Sequence, residues 1–143
     1  GDGLADLVRT NLAHGLAAGG ELAASRDMYQ EALPGFLARS DLRSASYVRA
    51  MLGELQHRAG ESGVARATLL SAVERLEALP DPWLSGIVRG VLAEVELALG
   101  LTEEASDSIA SGDAWFAQAG DTPDRVEFLA RKACVLVALQ RAS

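Results

Sequence analysis

Apolar residues recur at intervals of three and four in the opening stretch (Leu4, Leu7, Val8, Leu12, Leu16), the spacing that lines one face of an α-helix. The same spacing returns along the whole chain and predicts seven amphipathic helices, over about residues 4–18, 21–38, 43–59, 62–79, 82–100, 102–119 and 123–140. Gly19-Gly20, Gly60 and Gly100 stand where three of these stripes stop, as helix-ending glycines do. Asp81-Pro82 and Asp121-Thr122-Pro123 read as helix starts, a capping side chain followed by a proline in the first turn. Thr102 reads as the cap of the sixth helix, with Glu103 and Glu104 near the positive end of its dipole. Pro34-Gly35 sits inside the second stripe (Leu22, Met28, Tyr29, Ala32, Leu33, Phe36). Proline lacks a helix donor, so the pair is expected to kink or split that helix near its last turn.

The stripes are copies of one another. The segments VRTNLA, VRAMLG and VRGVLA start at Val8, Val48 and Val88, 40 residues apart each time. Each leads to a glycine at the same phase (Gly20, Gly60, Gly100) and to a closing aspartate (Asp41, Asp81, Asp121). A fixed period of this size is the signature of a stacked array of one supersecondary unit. The chain therefore reads as one repeat domain, with units at about 3–41, 42–81 and 82–121 and a half unit over 122–143. Small residues keep a fixed place in it: Ala13, Gly53, Ala93 and Ala133 in the first helices, and Ser25, Ala65 and Ala105 in the second. Beyond the latter come a larger residue (Tyr29, Leu69, Ile109) and another small one (Ala32, Ala72, Gly112), the order in which a paired helix fills a groove.

Composition narrows the partners. Alanine and leucine dominate and aromatics are 5% of the chain, which favours an all-helical fold. Thirteen basic against 20 acidic residues give a formal charge of −7, which argues against direct nucleic-acid contact, since phosphates need clustered Lys and Arg. One cysteine, Cys134, cannot build a disulfide framework within the chain and points to a reducing compartment. No apolar run approaches the ~20 residues of a membrane span and no signal-peptide pattern opens the chain, so a cytoplasmic protein without membrane contact is expected. The chain begins Gly1-Asp2-Gly3 without methionine, and its last helix is apolar on more than one side (Ala133, Val135, Leu136, Val137, Leu139). Both features lead us to expect a fragment of a larger protein. Homodimerisation through 123–140 is an alternative use of that helix.

Three sets of residues carry a family resemblance: Leu12-Ala13, Leu16, Gly20, Ser25, Tyr29 and Ala32; Leu52-Gly53, Gly60, Ala65, Leu69 and Ala72; Leu92-Ala93, Gly100, Ala105, Ile109 and Gly112. Their order resembles the tetratricopeptide repeat over nearly the whole chain. Two features depart from that family. The period is 40 rather than about 34, and Arg9, Arg49 and Arg89 stand where the family's first helix has an aromatic. The longer helices are similar to the tetratricopeptide-like arrays of large bacterial transcription regulators of the MalT and antibiotic-regulator type, where the array is a sensor or docking module beside ATPase and DNA-binding domains. The resemblance implies an all-α fold, a right-handed α-α superhelix of helical hairpins. HEAT repeats share the period and are the second choice; their proline and Asp/Arg positions have no counterpart here.

The resemblance also implies a binding face, the concave wall of the first helices. In this register the wall comprises Leu7, Thr10, Asn11, His14 and Ala17; Tyr47, Ala50, Glu54 and His57; Ile87, Gly90, Val91, Glu94 and Leu97. It lacks the Lys and Asn set that clamps a peptide carboxylate, so a chaperone-tail receptor is not expected. The expected function is a non-catalytic interaction module, binding a peptide, a protein segment or neighbouring domains of the same chain as part of a transcription regulator. Two alternatives stay open, an inducer sensor whose groove takes an apolar small molecule and a self-association scaffold.

Other candidate chemistry has a plainer explanation. The arginine ladder is expected to lie along partner helices with its stems on apolar surface. His14 and His57 read as surface residues rather than a metal pair, Cys134 as a buried small hydrophobe, and Trp115, Phe116 and Phe128 as inter-repeat core. Glu103-Glu104 and Glu94/Glu96 diverge on their helices, and no glycine loop follows a strand. No catalytic residue, metal or cofactor is therefore expected.

Overall fold

The structure, a computed structural model, describes residues 3–78 and 81–142. Among these the chain forms seven helices and no strand: α1 (Gly3–Ala18), α2 (Leu22–Ala38), α3 (Leu42–Arg58), α4 (Ser62–Ala78), α5 (Pro82–Ala98), α6 (Thr102–Ala119) and α7 (Pro123–Ala142). Helices α2 to α6 begin at 22, 42, 62, 82 and 102, so the 40-residue period is two helical steps of equal length.

The steps end alike. At the end of α1 the Gly20 amide donates to Ala17 O at 3.0 Å and the Glu21 amide to Leu16 O at 2.8 Å. The same pair of bonds recurs at Ser40 and Asp41, at Gly60 and Glu61, and at Gly100 and Leu101. This double closure requires a left-handed residue. Gly20, Gly60 and Gly100 supply it at φ 86°, 86° and 79°, and Ser40 does so at 57° without being glycine.

Starts are less uniform. Asp41 accepts from the Ser44 amide and Asp81 from the Leu84 amide, each at 3.1 Å, and Thr122 Oγ1 accepts from the Arg125 amide at 3.3 Å. Thr102 does not cap α6: it lies inside the first turn, and Leu101 holds the cap position with no side-chain bond. Pro34 does not split α2, which runs unbroken from Leu22 to Ala38. The proline stands on the exposed face, while Tyr29, Ala32 and Phe36 are buried on the other and hold the last turn in place.

Successive helices pack as antiparallel neighbours, and first helices also meet, α3 with α5 and α5 with α7. The fixed small residues sit at the closest contacts. Ala13, Ala65, Ala93 and Ala105 are fully buried, Ser25 Oγ donates to Ala13 O at 2.6 Å, and Gly53 admits Leu69, whose branch carbons would lie 2.8 Å from an added Cβ. Phe128 wedges α7 against both helices of the third unit. A Cβ at Gly90 or Gly112 would come within 2.8 or 2.6 Å of its ring.

Burial within the repeated motif follows what covers it. Val48 and Val88 are fully buried, whereas Val8 at the same phase is 56% exposed; Leu52 and Leu92 are buried and Leu12 is 52% exposed. The apolar stripe of α1 is thus mostly open (Leu4, Leu7, Val8, Leu12), because nothing among the described residues covers it as the neighbouring helices cover Val48 and Val88. On α7 the inward positions are Phe128 and Val135, while Val126, Leu129, Leu136 and Val137 are exposed. Cys134 and Ala133 lie on that open side, so neither is buried as the sequence suggested.

Candidate functional site

Tyr47, Met51, Glu54 and Arg58 follow one another at four, three and four residues and so project from one side of α3. They line a groove of about 300 Å³ with His14 and Ala17 of α1, Ile87 and Val91 of α5, and Asp124, Glu127 and Arg131 of α7. Met51, Ile87 and Val91 make an apolar floor. Tyr47 is fixed at the edge by stacking on Trp83, with ring centroids 5.8 Å apart and planes 8° from parallel, and Trp83 Nε1 donates to Asp124 at 2.6 Å.

Arg131 crosses the groove. Its guanidinium meets Glu94 at 2.6 Å, Glu127 at 3.1 Å and Glu54 at 3.2 Å, tying α7 to both α5 and α3. Burial works against its charge, but the three carboxylates outweigh burial and hold it more firmly protonated than usual. Burial also raises the phenol pKa of Tyr29 and of Tyr47, so both remain neutral hydrogen-bonding groups beside the groove.

The wall drawn from sequence is partly gathered here. His14, Ala17, Tyr47, Glu54, Ile87 and Val91 line the groove, and Glu94 adjoins it through Arg131. Ala50 is fully buried in the core, Gly90 is buried under Phe128 and Leu97 packs against the third core cluster. Ala50 and Gly90 therefore offer no surface to a partner. Leu7 and Asn11 are exposed but lie outside the lining, as does Thr10, whose hydroxyl donates to Asp6 O at 2.8 Å. His57 also lies outside it, with Nδ1 2.9 Å from Ser62 Oγ.

Sequence reasoning missed Met51, Arg58 and the contribution of α7. The register could have found the last, since Glu127 and Arg131 stand one period after Ile87 and Val91.

The arginine ladder has three different settings. Arg9 donates to Asp6 at 2.9 Å and lies 3.7 Å from Glu31; Arg89 donates to Ser85 O at 3.4 Å and sits over the Trp115 ring at 5.7 Å. Arg49 has no ion pair or hydrogen bond among the described residues.

Asp6, buried at 3% exposure, also takes Arg39 at 2.8 Å. The Arg39 hydrogen bond holds its carboxyl below the ordinary range against the opposing effect of burial, with Arg9 adding to it. A carboxyl with a depressed folded pKa contributes stability above its unfolded pKa, about 3.9, and loses it as pH falls through the folded value. Asp6→Asn should therefore be less stable than the wild type at neutral pH, and the gap in melting temperature should close below about pH 4. A gap constant from pH 7 to pH 2 would show that the ionised carboxylate is not what matters.

Comparison of the chain with protein-family models, with curated proteins and with solved structures finds no match in any of the three. Fold and groove define its class, an all-α array of helical repeats. Among the described residues no helix is long and apolar enough to cross a membrane, and no group of three His, Cys, Asp or Glu is placed to hold a metal ion.

Proposed function

We propose that the array is a non-catalytic docking module, whose groove seats a peptide or protein segment of a partner and whose attached domains respond to the occupancy. The observation that carries this reading is the convergence of five helices, α1, α2, α3, α5 and α7, on one groove with an apolar floor and a charged rim. A volume of about 300 Å³ lies at the lower end of small-molecule sites and suits one large anchoring side chain. Glu54, Asp124 and Glu127 outnumber Arg58 and Arg131 around it, which favours a segment with Lys or Arg flanking the anchor. The likeness of the repeat to the arrays of large bacterial transcription regulators supports placing the module in such a regulator.

Selection from a random peptide library on the isolated chain should enrich an apolar residue flanked by basic ones. Binding of the enriched peptides should weaken at least about tenfold in Met51→Lys, which puts a charge on the groove floor, and also as salt is raised. Circular dichroism would establish that the variant is folded. Enrichment of unrelated sequences, or binding indifferent to Met51→Lys, counts against the groove as the docking face.

A further inference from the structure

The joint beside each arginine of the ladder is filled differently in the three units. In the first, the Asp6 carboxylate occupies it, bridging Arg9 and Arg39 and resting on Gly35, where a Cβ would collide with it. In the third, two periods on from Asp6 stands Gly86, against which the Phe116 ring packs, and one period on from Arg75 stands Trp115 beneath Arg89. A carboxylate fills the joint in one unit and aromatic rings fill it in the other.

In the second unit the corresponding residues are Ser46, Arg75 and Leu76, and among the described residues no carboxylate or aromatic ring fills the joint. A cavity of about 470 Å³ lies between α3, α4 and the start of α5, walled by Leu42, Leu76 and Leu84 and bordered by Arg49 and Arg75. Leu76 holds the phase of Phe36 and Phe116 with a smaller side chain. The volume is that of small-molecule sites.

Neither Arg49 nor Arg75 has an ion pair or hydrogen bond among the described residues. Burial, with the Arg75 charge adding to it, lowers the Arg49 pKa, which is the mark of a guanidinium short of a counter-charge. The third arginine at the cavity, Arg43, is matched by Asp81 at 2.6 Å, and Asp81 is further engaged by the Leu84 amide. Three arginines thus face one aspartate in a chain whose formal charge is −7.

We propose that this cavity binds a small carboxylic acid with an apolar body, its carboxylate spanning Arg49 and Arg75 as Asp6 spans Arg9 and Arg39, and its body taking the place that Phe116 takes in the third unit. The Ser46 hydroxyl at the cavity wall adds a donor to the carboxylate. Residues 42, 46 and 49 lie about half a turn of helix around from 47, 51 and 54, so the ligand sits on the side of α3 away from the groove. It would join the second unit to the third. The two linings share no residue, so failure here leaves the docking reading standing, and the reverse also holds.

Octanoate below its micelle concentration is the probe, with octanol as the uncharged body and acetate and inorganic phosphate as anions without one. Octanoate should bind one per chain by calorimetry and raise the melting temperature, while the other three at equal concentration leave it unchanged. Arg75→Ala, at an exposed position, should weaken octanoate about tenfold or more by removing a charge-assisted contact. Leu76→Phe installs the residue that the first and third units carry, and should raise the melting temperature of the free protein and abolish octanoate binding. The proposal is overturned if octanoate does not bind, if octanol or the small anions act equally, or if Arg75→Ala binds octanoate like the wild type.

Discussion

Phe128→Ala should lower the free energy of unfolding by about 3–5 kcal/mol, the range for truncating a buried phenylalanine. The upper half of that range is expected because the site cannot collapse. The ring lies in a crevice opened by Gly90 on α5 and Gly112 on α6, and neither glycine has a side chain with which to fill the void. Phe116 also loses its ring partner, now 4.9 Å away at a 44° tilt. Arrays of this kind are stabilised by nearest-neighbour interfaces, so the damage should be local. Amide exchange should quicken throughout α7 while the cluster around Tyr29, Phe36 and Val48 stays protected. Urea unfolding gives the first quantity and hydrogen exchange the second. A loss below about 1 kcal/mol would mean that the two glycines do not seat the wedge as described.

Much of the fold was legible because its signals are local and repeated. Glycine at phases 20, 60 and 100 and aspartate at 41 and 81 fix helix ends through bonds a few residues long, and a period of 40 carries each inference to the next unit. Where the local signal was missing, so was the prediction: Ser40 makes the same closure as the glycines with nothing in its side chain to announce it. Burial was less legible still, since it depends on what covers a face. Val8 and Val48 hold the same phase of the repeat and have opposite exposure, and Cys134 sits among apolar residues on a face that is open. The groove suffered from the same limit. On α3 helical phase placed Tyr47 and Glu54 but not Met51 and Arg58, and Arg131, which joins Glu54 to Glu94, acts across units and has no signature in either helix alone.

Glu96→Ala should cost about 2–4 kcal/mol, although Glu94 two residues earlier should be replaceable for about 1 kcal/mol or less. Two residues on a helix point about 160° apart. Glu94 faces the groove, partly exposed, and shares Arg131 with Glu54 and Glu127. Glu96 turns inward, 2% exposed, where Oε2 accepts two bonds from Arg66 at 3.1 and 3.2 Å and Oε1 accepts from Ser108 at 2.5 Å. One carboxylate thus links α4, α5 and α6. Breaking a buried ion pair from one side typically costs about 3–5 kcal/mol, mostly for the charge left behind. The expected value is set lower because the side chain of Arg66 is 32% exposed and its guanidinium can turn to water.

The same reasoning predicts the order of a double-mutant cycle. Arg66→Leu alone strands the more deeply buried Glu96 and should be the worse single change. Arg66→Leu combined with Glu96→Leu should recover much of that loss, since an apolar pair in place of a buried ion pair is often neutral. Chemical unfolding of the four proteins measures the coupling. If the double variant is as unstable as the sum of the singles, the link between these three helices is not the ion pair, and Ser108 with the aliphatic stem of Arg66 is holding them.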